Sequence, residues 1–280
     1  MLNLKVSGNN FVNKSKKAVV YTALVGEYDY LRPVPKGLTD IDFVCFADEG
    51  LSEAYCQRKG WSLRRLPKGT DSSRKVCRQL KSMPQRYFGE YDVSVWLDSN
   101  ISFKRSIGEL VDEFISSKSL VRGFRHPSRI CAYSEAKECI RQGKDTEENL
   151  RSMVDHMRFS GFPKNHGLTE TNVIFRKHHI KNVQALNKDW SYFLSGFTIR
   201  DQISFDYLCW HHGIDVWYFS GSTHRNENPV FNRGLHRSKS NLKDKFSYFE
   251  SFQGIHPSLG GVIKFIYTAR SITKCNTKLV

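Results

Sequence analysis

Residues 18–24 read Ala-Val-Val-Tyr-Thr-Ala-Leu, an almost uninterrupted apolar and β-branched run. A strand of this kind needs cover on both faces, the condition of a parallel sheet packed between helices. Residues 42–47 (Asp-Phe-Val-Cys-Phe-Ala) and 93–97 (Val-Ser-Val-Trp-Leu) repeat the pattern. Weaker strand signals cover 120–124, 172–175 and 216–219. Between them, 106–118 puts Ile107, Leu110, Val111, Phe114 and Ile115 on one helical face, with Ser106 and Glu109 spaced as a capping box. Residues 145–157 gather Leu150, Met153, Val154 and Met157, and 182–190 and 201–210 are shorter helical stretches. Strands alternating with helices predict an α/β layered fold with a mostly parallel central sheet, whose ligands sit beyond the carboxyl ends of the strands.

The chain carries 43 Lys and Arg against 28 Asp and Glu, a net charge of +15. That excess suits anionic partners, namely nucleic acid, an anionic membrane face or phosphorylated ligands, and equally describes an ordinary basic surface. The basic residues are scattered, without an Arg-rich arm, an RNA-recognition signature or zinc-finger spacing, so no specific nucleic-acid partner is expected. Seven cysteines (45, 56, 77, 131, 139, 209 and 275) include no Cys-x-x-Cys pair. This predicts reduced thiols in a cytoplasmic compartment rather than a disulfide framework or a zinc site. Residues 1–17 lack the apolar run of a signal peptide. The apolar run at 262–267 would either dock on the domain or rest peripherally on an anionic inner membrane face. The expected plan is a lead-in over 1–16, one main domain over 17–250 and a tail over 251–280.

The most informative segment is Tyr91-Asp92-Val93-Ser94-Val95-Trp96-Leu97-Asp98-Ser99-Asn100, where a buried strand ends in Asp-Ser-Asn. Two residues apart on extended backbone, Asp98 and Asn100 project to the same side. A hard divalent cation takes such oxygen donors and completes its shell with water and substrate phosphates. The same Asp-x-Asn pattern also caps turns and helices, and by itself does not choose between these roles.

Ordered segments extend this reading: Val20-Tyr21-Thr22-Ala23 with Gly26 and Tyr28-Asp29; Asp42 to Asp48; Arg74-Lys75 through Lys81 and Pro84; Trp96 to Asn100; Arg125-His126-Pro127; Tyr133, Glu135-Ala136 and Cys139; Gly161-Phe162-Pro163 with Gly167-Leu168; Glu170-Thr171-Asn172; and Arg200-Asp201-Gln202. Together they resemble a glycosyltransferase-like family, formerly a domain of unknown function, that includes plant mucilage-related and turgor-related proteins and bacterial members. The resemblance covers about residues 19–207. It implies a GT-A fold and a nucleotide-sugar donor, most simply a UDP-sugar. It also implies a Mn or Mg ion, a glycan or glycolipid acceptor, and a place in polysaccharide biosynthesis. Glycogenin-type transferases, more distantly similar, carry Asp-x-Asp at the equivalent strand end; here the third position is Asn100.

The resemblance suggests roles for further residues. Asp98, Asn100 and a C-terminal histidine, His236 with His224 as competitor, are the implied metal ligands, and Arg237 and Lys239 would lie near the phosphates. Arg74 and Lys81 would contact the nucleotide or its phosphates, although Arg74, Lys75, Arg78 and Lys81 also fit a solvated helix face. Tyr21, Thr22 and Ala23 end the first strand, where such folds hold base and ribose, and Asp48 ends the second. Glu170, Asn172, Asp201 and Gln202 are the acceptor-side catalytic candidates, and Arg125 and His126 would line the acceptor cleft. Asp201 equally fits a helix N-cap. Two other functions remain open at this level: a metal-dependent lipid amide hydrolase, and a non-catalytic carbohydrate- or nucleic-acid-binding protein.

Overall fold

The computed structural model describes residues 18–26, 29–38, 40–67, 72–223 and 228–234. Nine strands are described: β1 (Ala18–Leu24), β2 (Ile41–Ala47), β3 (Ser62–Arg65), β4 (Val93–Leu97), β5 (Ile101–Phe103), β6 (Val121–Arg125), β7 (Thr169–Arg176), β8 (Val216–Tyr218) and β9 (Phe231–Arg233). Seven of them form one sheet in the order β3-β2-β1-β4-β7-β6-β8, and β5 pairs with β9 in a separate ribbon. The β3-β2-β1-β4 half is parallel; β7 runs antiparallel to both β4 and β6, and β8 runs parallel to β6. The α/β fold with a mostly parallel sheet is therefore as expected.

Both faces of the sheet are covered, as the apolar runs require. The helices are α1 (Glu53–Arg58), α2 (Ser73–Ser82), α3 (Gly108–Ser116), α4 (Ala132–Arg141), α5 (Glu147–Phe159), α6 (Lys181–Gly196) and α7 (Asp201–His211). Alternate residues of β1 divide between two cores. Val19, Tyr21 and Ala23 pack with Leu80 of α2 and with buried residues of α4 to α7. Ala18, Val20 and Leu24 pack with Tyr55 and Cys56 of α1, Val111 and Phe114 of α3, and Phe231. Period-two alternation thus gives each strand two partners.

Several local expectations change. The helix over 106–118 starts at Gly108 with Ile107 at its N-cap, and Ser106 Oγ accepts from the Gly108 N–H at 3.1 Å, so the Ser106–Glu109 capping box does not form. The helix over 145–157 starts after Thr146, whose hydroxyl accepts from the Asn149 N–H, while Asp145 accepts from Thr198 and Ile199. Residues 182–190 continue as helix to Gly196 because Phe193 and Leu194 extend the buried stripe. The strand at 172–175 begins earlier, at Thr169, where Thr169 and Glu170 pair with Arg125 and Phe124. The described cysteines are free thiols. No described helix is long and apolar enough to cross a membrane. The lead-in over 1–16, the 251–280 tail and its 262–267 run lie outside the described residues.

Candidate functional site

Strand order reverses between β1 and β4: β2 and β3 continue to one side of β1, and the chain then returns to place β4 on the other. Loops leaving two such strands diverge and open a crevice at their carboxyl ends. A cleft of about 940 Å³ occupies this position. Ala23 to Gly26, leaving β1, form one wall with the start of α2, and Asp98 to Asn100 form the floor. The amino end of β7 and the start of α7 form the far side. Because β7 is antiparallel, its first residues share the edge where β1 and β4 end.

The β1 side is built around Gly26. Its φ of +63° suits glycine, its N–H donates to Asp48 Oδ2 at 2.7 Å, and a Cβ there would meet Ser73 Oγ at 2.4 Å. This close approach lays the turn against the first residues of α2. Ser72 caps that helix by accepting from the Lys75 N–H. The helix start, with Arg74 and Arg78 beside it in the cleft wall, offers partial positive charge and two cations to an anionic group.

At the floor, the Asp98 N–H donates to the Asn172 carbonyl at 2.8 Å, and the Ile101 N–H returns to the Asp98 carbonyl at 2.9 Å. The backbone of the turn is fixed from both sides. Asp98 Oδ1 accepts from Trp96 Nε1 at 2.7 Å and from Lys81 Nζ at 3.2 Å, while Oδ2 accepts no hydrogen bond among the described residues. The Asp98 side chain is 36% exposed. Asn100 donates from Nδ2 to the Gly234 carbonyl at 3.2 Å, which leaves Oδ1 without a donor among the described residues. That bond accounts for an amide here: a carboxylate has no proton to give the Gly234 carbonyl.

Beneath the floor lies a buried charge cluster. Asp201 Oδ2 accepts from Lys81 Nζ at 2.5 Å, Arg78 Nη1 at 2.7 Å and Thr171 Oγ1 at 2.8 Å. Burial alone would raise the Asp201 pKa, but the charges of Arg78, Lys81 and Arg200 outweigh it and hold the carboxyl well below its usual range. Lys81 is wholly buried, with its ammonium 5.6 Å from the centre of the Trp96 ring.

On the far side, Asn172 Nδ2 donates to Thr223 Oγ1 at 2.7 Å, and Thr223 donates to Glu170 Oε2 at 3.0 Å. Arg233 Nη1 stands 3.9 Å from Glu170 Oε1. Burial pushes the Glu170 carboxyl up to about 7, against the pull of Thr223 and Arg233 and with a contribution from Asp98. A carboxyl poised there exchanges protons near neutral pH.

The cleft brings together half of the residues singled out from sequence: Ala23, Arg74, Asp98, Asn100, His126, Glu170, Asn172, Asp201 and Gln202 line it. The others stand elsewhere or lie outside the described residues. Tyr21 is fully buried in the core, donating to the Lys81 carbonyl and accepting from Arg176, and Thr22 is likewise buried, so neither side chain lines the cleft. Asp48 holds the Gly26 turn from outside the cleft. Lys81 reaches the cleft only through Asp98 and Asp201. Arg125 leaves the cleft and lies over the Tyr218 ring at 4.2 Å. His224, His236, Arg237 and Lys239 lie outside the described residues. Sequence reading missed Asp29, which accepts from Ser99 Oγ at 3.0 Å, and Arg233, which approaches Glu170. It also missed Arg78, although Arg78 stands on the helical face that holds Arg74 and Lys81.

The residues present fit a divalent cation in part. Asp98 Oδ2 and Asn100 Oδ1 are oxygen donors of the type a hard cation takes, and among the described residues no hydrogen bond occupies either. Among the described residues, no group of three His, Cys, Asp or Glu stands together at metal-holding distances. An ion at this turn would therefore share its shell with phosphate oxygens and water.

Residues 3–221 match the family described as TOD1/MUCI70, glycosyltransferase-like domain. No curated protein matches the chain. Similar solved structures include the bifunctional glycosyltransferase WbbM, at 14% identity and a TM-score of 0.48, with 86% of this chain and 45% of that one covered. The glycosyltransferase GlyE of Streptococcus pneumoniae TIGR4 is similar at 11% identity and a TM-score of 0.46, covering 92% of this chain and 64% of that one. Mouse xyloside xylosyltransferase 1 is similar at 10% identity and a TM-score of 0.38, covering 72% and 84%. The chain thus spans less than two thirds of the first two proteins.

Proposed function

The chain belongs to the TOD1/MUCI70 glycosyltransferase-like domain family, and we propose that it is a GT-A-type transferase that moves a sugar from a UDP-linked donor to a hydroxyl of a glycan or glycolipid. The observation that carries this reading is the Asp98–Asn100 turn, set with free oxygens in a cleft at the strand-order reversal and faced by the cationic start of α2. The residues after β1 receive the nucleoside. Arg74, Arg78 and the α2 N–H groups receive the diphosphate.

As the bond between the sugar carbon and the phosphate oxygen breaks, its electron pair leaves with the diphosphate, so negative charge grows opposite these cations. A divalent cation bound at Asp98 and Asn100 would supply further positive charge to that leaving group. Lys81 keeps the Asp98 carboxylate oriented, and Asp201 holds Lys81 and Arg78 in place rather than acting as a base. Glu170 is the group suited to take the acceptor hydroxyl's proton, because its carboxyl is poised near neutrality while Asp201 stays ionised.

A thermal-melting series with UDP and Mn tests the reading. The expected result is a rise in melting temperature that Asp98→Ala abolishes. The reading fails if no nucleotide diphosphate shifts the transition and none of a panel of UDP-, GDP-, CMP- and dTDP-sugars is hydrolysed with Mn present. Amide hydrolysis without a nucleotide sugar would instead support a hydrolase. Strongly salt-dependent nucleic-acid binding without donor hydrolysis would support a binding protein.

A further inference from the structure

The far arm of the cleft holds more positive charge than its one buried acid can balance. Arg129, Lys144 and Arg200 line it together with Glu135 and His126. Glu135 is 1% exposed, and both its oxygens are engaged: Oε2 by Arg129 Nε, and Oε1 by Cys139 Sγ at 3.4 Å. Arg129 is thereby neutralised. His126 adds no counter-charge. Its Nδ1 accepts from the Arg129 N–H at 3.0 Å, and burial lowers its pKa, with Arg129, Lys144 and Arg233 adding to the effect against Glu135.

Lys144 and Arg200 remain. Among the described residues no carboxylate stands within ion-pair distance of Lys144; Arg200 bonds the Cys139 thiol and feels the charges of Asp201 and Glu135, acids that other cations already engage, while its Nε is buried without a hydrogen-bond partner. The carboxylate next to Arg200 in sequence, Asp201, already accepts from Lys81, Arg78 and Thr171. Both cations act on the same spot: the Cys139 thiol, lifted to about 11 chiefly by burial, is pulled the other way by Arg200 and Lys144. Three cations lining this wall against one buried acid, with Asp201 shared among Arg78, Lys81 and Arg200, leave an excess of positive charge that a ligand can meet.

We propose that this arm is an acceptor subsite for an anionic sugar, in which Lys144 and Arg200 pair with a carboxylate or phosphate carried by the acceptor glycan. The proposal rests on the transferase reading for the word acceptor; the anion-binding arm itself stands on the charge arrangement alone. A neutral sugar placed there leaves the excess positive charge unbalanced, so discrimination comes from the missing counter-charge as much as from the attraction.

The test measures dissociation constants by ligand-observed NMR at low salt for three probes: methyl glucuronoside, glucose 6-phosphate and methyl glucoside. At least one anionic sugar is expected to bind about tenfold or more tightly than the neutral one, with the preference shrinking at high salt. Carboxylate and phosphate are told apart by which probe holds the advantage. Lys144→Gln should reduce the preference to within about threefold. Lys137→Gln, which removes one charge from an exposed position on α4, should retain it, and the melting temperatures of both variants report whether they fold. Equal binding of neutral and anionic sugars, absence of binding by either anion, or a preference that survives Lys144→Gln in the folded variant would each overturn the proposal. Donor hydrolysis, assayed in parallel, separates the two claims: anionic preference without hydrolysis of any nucleotide sugar sinks the transferase reading and leaves the subsite standing.

Discussion

Lys81 and Asp201 form a buried ion pair, Nζ to Oδ2 at 2.5 Å, and the same ammonium stands 3.2 Å from Asp98 Oδ1. The pair links the last turn of α2 to the first turn of α7 beneath the β4 edge. Arg176 clamps it from behind by donating to the Lys81 carbonyl and to Tyr21 at 2.7 Å. The Asp98 carboxylate is therefore oriented from beneath by a wholly buried ammonium and from the side by the Trp96 indole.

Breaking this pair should be costly. Lys81→Met leaves Asp201 buried with Arg78, and Asp201→Ala leaves two buried cations; each should lower stability by about 3–5 kcal/mol. Urea unfolding of the two variants checks this. Asp201 has a folded pKa below its unfolded value, so its contribution to stability is present above the unfolded value and is lost as pH falls through the folded one. The acid-unfolding limb should accordingly be weaker in Asp201→Asn than in the wild type.

Asp98→Ala should separate binding from folding. Its side chain is 36% exposed, so the loss of the Lys81 and Trp96 contacts should cost only about 1 kcal/mol. Stabilisation by nucleotide diphosphate with Mn should disappear, and transfer should fall by about 10²–10³-fold. Calorimetric titration alongside thermal melting distinguishes the two losses.

Asn100→Asp should not simply improve the site. It adds a carboxylate for a cation, but it replaces the donor that meets the Gly234 carbonyl at 3.2 Å. The metal-free variant should be less stable by about 1–3 kcal/mol, and added Mn should restore more stability to it than to the wild type. Equal Mn responses would refute this.

Transfer should depend on Glu170. Its carboxyl, held near 7 chiefly by burial, is protonated below that pH and accepts a proton above it. In the metal-free protein the folded pKa exceeds the ordinary value of 4.5. Its contribution to stability is therefore full below about 4.5 and is lost as pH rises through about 7. Glu170→Gln should remove that slope from a stability–pH profile. It should also lower turnover by about 10²–10⁴-fold and flatten the rise of activity across neutral pH. A cation at Asp98 adds positive charge nearby and should shift the activity midpoint downward.

Gly26→Ala tests the wall. Positive φ and a Cβ 2.4 Å from Ser73 Oγ disfavour it, so stability should drop by about 1 kcal/mol or more. Nucleotide affinity should fall with it, because the start of α2 must shift. Unchanged affinity would mean that the helix start does not hold the phosphates.

The amino-acid order by itself determined the layered α/β fold. The apolar runs at 18–24, 42–47 and 93–97 can be satisfied only with cover on both faces, and burial of such runs is decided by local composition. It also marked the Asp98–Asn100 turn, because a buried strand that ends in polar residues announces an edge. Tertiary structure alone decided which polar groups share that edge. The antiparallel entry of β7 brings Glu170 beside Asp98, 72 positions earlier in the chain. Lys81 turns inward to Asp201 instead of outward to a phosphate, and Tyr21 sinks into the core although it stands in the same strand end as Ala23. Charge pairing and burial at these places are set by distances between elements far apart in sequence, where a buried ion needs its partner and local patterning carries no record of which partner it will be.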